Sequence, residues 1–412
     1  MSIEVLTYPF IFIGLYFEIF MLLTFLSAPA KTKRDRPIGF QFPKVAIIVP
    51  CWNEQTTIDG TVQSLLALDY PKDKLRIILV NDGSTDNTRE VMDTYVGTPQ
   101  ISVVHKKNGG KHTAINLGIA MAQDCDFFGC LDADSFVASD ALKEMMSSFT
   151  SERVAASTPA MSVFQPKTFL ERMQNAEYIF GITVRHVLSA VNGIYVTPGP
   201  FSVYRRKIIE ELGGFKHAHQ AEDMEMALRI QRAGYEIENA PRARVYTKVP
   251  PTVGKLIKQR TRWTTGFLRN VLLDYRELVG NPKHGILGVI VLPFGFISIL
   301  AGISLFVLAI FNTLKGLFRA YTVSSGIPLS FILTPHFSYD WFYAPLTFVT
   351  LISLVVATLS TSFIFVGRKL SGTDTNLFTG VVGYAFFYGF ISPFWLIRST
   401  FDLLTGHRRS WR

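Results

Sequence analysis

The chain has 412 residues, a net charge of +9 and a mean hydropathy of +0.25. Charged residues make up 18%, below the roughly 25% usual for soluble proteins, which argues against an ordinary soluble domain. Three cysteines, Cys51, Cys125 and Cys130, without CxxC spacing, argue against a disulfide framework and a zinc site alike.

The first apolar block, 8–27, is long enough to cross a bilayer, which takes roughly 20 residues. It lacks the basic n-region and small-residue cleavage site of a secretory signal, so it reads as a signal anchor. It carries Glu18. An ionisable group inside a span is a functional hypothesis by default, but a carboxyl facing a neighbouring helix is the plainer reading. Lys31, Lys33, Arg34 and Arg36 follow the block. By the positive-inside rule they put residues 31–283 in the cytoplasm and the N-terminus outside. The positive charge then belongs to membrane flanks, and no nucleic-acid partner is expected.

Short apolar runs alternate with helical patterns after that. VAIIVP (45–50), LRIILV (75–80), ISVVH (101–105) and DFFGCL (126–131) predict buried strands. Residues 54–68, 85–96, 112–123 and 138–149 predict helices, with Asp86 and Ser139-Asp140 as start signals. Alternation of this kind implies an α/β domain with a mostly parallel sheet and helices on both faces. Ligands of such sheets bind beyond the carboxyl ends of the strands, where Asn53, Asp82 and Asp132 all fall.

A long helix is expected over 167–190, a turn and strand over 197–206 (TPGPFSVYRR), and a helix over 221–234 with acids at its start, where they suit the helix dipole. His217 and His219 read as part of a solvated loop. Residues 251–283 mix Lys and Arg with Leu256, Ile257, Trp263, Phe267, Leu268, Val271 and Leu272, the composition of amphipathic helices lying in a membrane interface. Three more blocks of membrane length follow at 285–311, 341–367 and 377–400. Four crossings put both ends outside, yet the basic tail GHRRSWR prefers the inside, so one block is re-entrant or miscounted. The expected division is an anchor (1–30), a cytoplasmic catalytic domain (31–250), interface helices (251–284) and a membrane region of about three spans (285–412).

Asp132 and Asp134 in LDADS flank a small residue at a strand end. Mg²⁺ or Mn²⁺ takes oxygen ligands, keeps waters and needs one or two carboxylates beside substrate phosphates, so this pair is the candidate metal site. Asp82 in NDGSTD precedes the helix start, where Asp86 serves as cap, and is expected to be free for a base or ribose. KKNGGKHTA (106–114) is not a Walker A loop, because His105 and His112 stand where Gly and Ser/Thr are required. Lys111 is nevertheless placed near a diphosphate. Asp223 follows Glu222 at a helix start; Glu222 suits the dipole and Asp223 is a candidate base.

PCWNE (50–54), NDGSTD (81–86), NGGKHTA (108–114), LDADS (131–135), AED (221–223) and QRTRW (259–263) occur in this order. Together they resemble the processive family 2 glycosyltransferases, the cellulose, chitin, hyaluronan and poly-N-acetylglucosamine synthases. The resemblance covers roughly 44–275. It implies a GT-A fold joined to transmembrane and interface helices, and an inverting enzyme that extends a β-linked glycan from a UDP-sugar and passes it through the membrane. UDP-GlcNAc is the favoured donor and UDP-glucose the next. Asn53 and Asp82 would contact the nucleoside, with Glu54 in the same substrate site and Lys111 near the nucleotide. Asp132 and Asp134 would hold the sugar diphosphate and its Mg²⁺ or Mn²⁺, and Asp223 would be the general base. Gln259, Arg262 and Trp263 would position the growing end and the diphosphate. The QxxRW pattern marks members that extend a polymer. The implied partners are the UDP-sugar, the growing glycan, the lipid bilayer and accessory export or regulatory subunits, at a plasma (inner) membrane. Two positions depart from the pattern: TPGP replaces a small-residue turn at the acceptor side, and AED replaces the commoner TED. The rival readings are a one-step transferase making a lipid-linked sugar and an inactive transport or scaffold subunit.

Overall fold

The computed structural model describes residues 3–27, 42–325, 347–373 and 376–407. The basic cluster at 31–36, the first residues of the block at 341–367 and the tail beyond His407 lie outside them.

Helix α1 (Ile3–Ser27) leads to the catalytic unit. There β1 (Val45–Cys51), β2 (Leu75–Asp82), β3 (Ile101–Lys106) and β4 (Phe127–Cys130) pair in parallel, with β1 between β2 and β4. Strand β1, VAIIVPC, is buried along nearly its whole length, as a parallel strand covered on both faces must be. Helices α2 (Ile58–Leu66), α3 (Thr88–Asp93) and α5 (Ala141–Met146) fall inside their expected ranges, and α4 (Lys111–Met121) starts one residue before its range. Ile58, Thr61, Val62 and Leu65 of α2 are buried, the i, i+3, i+4, i+7 face of a helix on a sheet.

The full sheet has eight strands in the order β3-β2-β1-β4-β7-β6-β8-β5. Strand β5 (Ser135–Val137), β6 (Val154–Val163), β7 (Ser202–Arg205) and β8 (Glu236–Thr247) complete it. Strand β7 runs antiparallel to β4 and β6, and β5 antiparallel to β8, so the sheet is mixed. Of these four, only β7 falls within an expected strand, in the segment 197–206. Strand β6 is VAASTPAMSV and β8 is EIENAPRARVYT, whose buried side includes Asn239, Ala240, Ala243 and Thr247.

Helix α6 (Phe169–Ala190) starts with a capping box between Thr168 and Glu171. It packs on the sheet, where Asn175 Oδ1 accepts the Val163 N–H at 3.0 Å. Helices α7 (Arg206–Glu211), α8 (Glu222–Arg232) and α9 (Val253–Arg269) follow. One core joins Ile48, Ile115, Met226 and Leu268 on one face of the sheet, and a second joins Ile47, Val62, Leu79 and Leu142 on the other.

Helices α10 (Leu292–Ser324), α11 (Phe348–Ser371) and α12 (Phe378–Leu404) end the chain. With α1 they are the four helices, among the described residues, that are long and apolar enough to cross a membrane. Glu18 of α1 faces α11, and its Oε1 accepts the Ser360 hydroxyl at 2.6 Å. Helix α9 departs from the expectation of a helix resting its apolar face on lipid. Leu256, Phe267 and Leu268 are buried in the protein, and so are the charged Arg260 and Arg269. The cause is the cover supplied by α6 and α12. Arg260 pairs with Glu177 of α6 at 2.6 Å, and the Ser399 hydroxyl of α12 donates to the Thr261 carbonyl at 3.2 Å.

Candidate active site

The parallel strands end together. Cys51 of β1 lies opposite Asn81 of β2, and Ile48 opposite Cys130 of β4. The segments that leave these ends, 52–54, 82–86 and 131–134, therefore meet at one edge. There they line a cavity of about 280 Å³ with Pro50, Cys51, Trp52, Glu54, Asp82, Lys111, Asp132, Ala133, Asp134 and Arg262. Six of the ten candidate residues, Glu54, Asp82, Lys111, Asp132, Asp134 and Arg262, thus share one space.

Glu54 and Asp134 carry the strain of crowded like charges. Burial is the main cause that raises the Asp134 carboxyl to about 7, with Asp132 and Glu54 adding repulsion. Burial also raises Glu54, against the Thr57 hydroxyl, which donates to its Oε2 at 2.6 Å. Lys111 answers the charge of Asp132 with an Nζ–Oδ1 contact of 2.5 Å and lies 3.7 Å from Glu222. Burial pulls its ammonium down, but Asp132 and Glu222 outweigh that and hold it above the usual lysine range. Gly199 presses on this pair. A Cβ there would sit 2.7 Å from Lys111 Nζ and 2.9 Å from Asp132 Oδ2. The TPGP turn is thus set by the site it closes.

Among the described residues, no three His, Cys, Asp or Glu side chains form a group that could hold a metal ion by themselves. Asp132 and Asp134 supply hard oxygens only. That suits Mg²⁺ or Mn²⁺, which retains waters and takes phosphate oxygens, and it does not suit a thiolate- or imidazole-seeking metal. The donor set therefore fits the expected group, with the substrate diphosphate completing the shell.

Two of the expected nucleoside contacts, Asp82 and Asn53, also hold loops together. Asp82 is 2% exposed. Its Oδ1 accepts from Lys106 Nζ at 2.5 Å and from the Gly109 N–H at 2.9 Å, and its Oδ2 from the Gly110 N–H at 2.9 Å. The carboxylate is thus already hydrogen-bonded within the protein while it lines the cavity. It organises the glycine loop, because backbone N–H groups 27 and 28 residues away fold onto it. Lys106 is likewise drawn inward, donating also to Thr113 Oγ1 at 2.8 Å. Asn53 adopts φ +58°, a region that favours glycine but which asparagine tolerates. Its Oδ1 accepts the Thr85 N–H at 2.8 Å, and its own N–H donates to Ser84 Oγ at 3.0 Å. It knits two loops together and is absent from the cavity lining. Asp86 lies one residue before the N-cap of α3, Asn87, and accepts the Thr88 N–H at 3.0 Å.

Asp223 stands at the start of α8. Its Oδ1 accepts the Met224 N–H at 2.8 Å, and its Oδ2 has no hydrogen bond among the described residues. The Thr197 hydroxyl donates to its backbone carbonyl at 2.7 Å, fixing the helix start against the TPGP turn. Burial first, and repulsion from Glu222 second, raise its carboxyl to about 6 against the pull of Lys111 and Arg262. A carboxylate poised near neutral pH with one open oxygen suits proton abstraction. The two adjacent acids have separated roles: Glu222 reaches towards Lys111, and Asp223 is the one raised.

Gln259 and Trp263 do not line the cavity. Gln259 Oε1 accepts from Arg260 at 2.8 Å, and the Arg260 guanidinium lies 4.2 Å from the Trp263 ring centroid. Arg260 itself went unnoticed in the sequence. It is 4% exposed, pairs with Glu177 at 2.6 Å, and donates to the Tyr388 hydroxyl at 3.3 Å. The missed signal was its place three residues before Trp263 on one helix face. His219 is tethered to Asp274 at 2.9 Å, and the His217 ring meets that of His112 edge-on at 5.5 Å, so neither stands in a simple solvated loop.

Comparison with known proteins agrees with this geometry. Residues 46–213 match the family described as glycosyl transferase family 2. The chain is 30% identical over 247 residues to a poly-beta-1,6-N-acetyl-D-glucosamine synthase of Staphylococcus epidermidis, covering 59% of each chain. It is 31% identical over 234 residues to the synthase of the same name from Staphylococcus aureus strain COL, covering 56% of each. The aligned part thus spans less than two thirds of either relative. Among solved structures, a mannosyltransferase of Pyrobaculum calidifontis in complex with GDP-Man and Mn²⁺ superimposes with a TM-score of 0.62 at 20% identity, covering 93% of this chain and 98% of that one. At that identity the likeness shows the GT-A fold alone.

Proposed function

Residues 46–213 form a family 2 glycosyltransferase domain of GT-A fold, and we propose that the whole protein is a membrane-embedded processive enzyme. It transfers a sugar with inversion from a UDP-sugar to the end of a growing β-linked glycan and moves that glycan across the membrane. UDP-GlcNAc is the favoured donor, in keeping with the poly-N-acetylglucosamine synthases it resembles, and UDP-glucose is the next. The observation that carries the reading is the place of Arg262. It belongs to the QRTRW helix and lines the same cavity as Asp132 and Asp134, which supports a diphosphate site coupled to the helix that underlies polymer extension.

In the reaction, the Asp223 carboxylate takes the proton of an acceptor hydroxyl as that oxygen bonds to the anomeric carbon. The bond from that carbon to the diphosphate oxygen breaks, and its electron pair leaves on UDP. Arg262 and Lys111 face the charge that develops on the leaving diphosphate, where fixed cations stabilise the transition state most. Asp132 and Asp134 would hold Mg²⁺ or Mn²⁺, which when bound neutralises the diphosphate as a Lewis acid. Glu54, raised by burial, lies beside them as a further polar contact for the donor. Trp263 is 37% exposed, with the Arg260 guanidinium over its ring at 4.2 Å, and would stack on the acceptor sugar. The bilayer would hold α1, α10, α11 and α12, with the catalytic unit on the cytoplasmic face of the plasma (inner) membrane. Accessory export or regulatory subunits are compatible with the long exposed apolar helices.

The test is UDP release by the purified full chain across a panel of UDP-sugars, followed by product sizing. The expected result is turnover with UDP-GlcNAc and a ladder of polymer. A single glycolipid band would replace the processive reading with one-step transfer, and no UDP release with any donor would overturn the enzymatic reading.

A further inference from the structure

Few local contacts set where Asp223 stands. Its helix α8 starts at Ala221 without a side-chain cap. Just before it, Ala218 and His219 sit at φ +41° and +53°, a backbone region that strains residues other than glycine. The Thr197 hydroxyl holds the Asp223 carbonyl at 2.7 Å. Further restraints come from α9 and the turn that follows it. Past Arg269 the chain widens into a π turn, Asn270–Asp274, and then reaches Tyr275. Such turns recur at functional sites.

Tyr275 closes onto α8. Its hydroxyl donates to Glu225 Oε1, and Glu225 Oε2 pairs with Arg229 Nη2 at 2.6 Å. Arg229 Nη1 in turn donates to the Leu212 carbonyl at 2.6 Å. Glu225, Arg229 and Tyr275 are 4%, 3% and 4% exposed. Burial first, and the bond to Glu225 second, raise the phenol above its usual range, so it stays a donor. On the outer side, Arg232 lies over the Tyr275 ring at 5.0 Å and meets Glu277 at 3.3 Å. At the head of α8, His219 meets Asp274 at 2.9 Å. A further contact is steric: a Cβ on Gly266 of α9 would fall 2.5 Å from the Ala221 Cβ. None of these groups lines the cavity. A buried ion pair adds little stability over an apolar pair, because desolvation offsets the attraction. What it adds here is direction. Glu225 is satisfied by one phenol and one guanidinium, and that fixes the spacing of α8 from the turn after α9.

We propose that Tyr275 and Glu225 are positioning residues, a clasp that holds the base helix α8 in register with the QRTRW helix α9. Asp223 then faces the acceptor hydroxyl while Arg262 faces the leaving diphosphate of the same transfer. The tight contact lies between these two groups. Gly266 follows Arg262 by one turn of α9, and Ala221 precedes Asp223 by two residues. A misplacement of about 1 Å can cost ~10²-fold in rate, whereas donor binding is untouched because the clasp stands outside the cavity. The inference rests on the roles given to Asp223 and Arg262 under the proposed function.

The test uses the purified full chain. Y275F keeps the ring and loses the hydroxyl. Its kcat should fall about 10- to 100-fold, with donor KM and UDP binding by calorimetry within about twofold of wild type. G266A disturbs the same register from the other side, by pushing on Ala221, and leaves Glu225 alone. It should show the same split, and it carries the test if Y275F is recovered unfolded. Y235F gives up an exposed hydroxyl contact with Glu211 at 3.4 Å and should match wild type. Hydrogen exchange supplies a readout apart from activity: residues 221–226 should exchange faster in Y275F, with strand β1 unchanged. Wild-type kcat in a folded Y275F overturns the proposal. Equal losses of kcat and UDP binding also overturn it, by making the clasp a general support of the fold. Unchanged exchange at 221–226 overturns it too. That last readout holds even if the wild type turns over no donor, a result that would overturn the proposed function instead.

Discussion

Asp223→Asn tests the base assignment most directly. Asparagine keeps the shape and the acceptor for the Met224 N–H at 2.8 Å, so the start of α8 stays intact, and the cavity lining around Asp132 and Asp134 is untouched. The variant loses only the proton acceptor. Removing a general base costs about 10²–10⁴-fold, or ~3–5 kcal/mol in the barrier. The pH dependence follows from the raised carboxyl at about 6. Only the ionised form accepts a proton. About nine-tenths is ionised at pH 7, half at pH 6 and about a tenth at pH 5, by the ordinary titration of one group. The wild type should therefore lose kcat/KM tenfold per pH unit well below 6 and level off above 7. The variant should be slow at every pH, without this acid limb, while UDP binding by calorimetry stays within about twofold. Wild-type-like turnover by Asp223→Asn, or survival of the acid limb in it, would refute the assignment. Equal losses of UDP binding and turnover would instead make Asp223 a binding group.

Further outcomes follow from the same geometry. Chelation by EDTA should abolish UDP release, and Mg²⁺ or Mn²⁺ should restore it; full turnover in EDTA would mean that Lys111 and Arg262 alone manage the diphosphate. Gly199→Ala should raise the donor KM about tenfold, ~1.4 kcal/mol, because its methyl group would displace Lys111 or Asp132; an unchanged KM would show that the turn yields freely. Arg260→Met leaves Glu177 without its cation and frees Trp263. Losing one partner of a fully buried pair costs ~3–5 kcal/mol, and the 22% exposure of the Glu177 side chain reduces that to about 1–3. The thermal midpoint of the detergent-purified protein should fall by several degrees, and an unchanged midpoint would remove Arg260 from its role in joining α9 to α6 and α12.

Much of the site is readable in one dimension because its parts are local. Buried parallel strands announce themselves as apolar runs, and ligands of such sheets gather at strand ends. Asp132 follows from that rule, and so does the site's position, whereas Glu54 is named only by the family resemblance. Strands β6 and β8 escape such a reading because their buried Val154, Met161, Val163, Ile237 and Val245 are spaced out by buried Ala, Ser, Thr and Asn, which dilute the hydrophobic pattern. Asp82 is legible as a strand-end acid but not as the organiser of the glycine loop, since its partners are Lys106, Gly109 and Gly110. Arg260 looks like one more cation on an amphipathic helix until Glu177 and Tyr388 meet it.

The sequence by itself determined the order of the motifs, the strand-end position of the acids and the number of membrane-length helices, because each depends on neighbours within a few residues. Tertiary structure alone decided the buried setting of Asp223 at the start of α8, the backbone N–H groups that meet Asp82, and which side of α12 packs on α6 and α9. Hydropathy counts apolar residues around a helix and is blind to which of its sides meets lipid. Only the contacts of Gly380, Ser399 and Asp402 show which side of that helix is covered by α6 and α9.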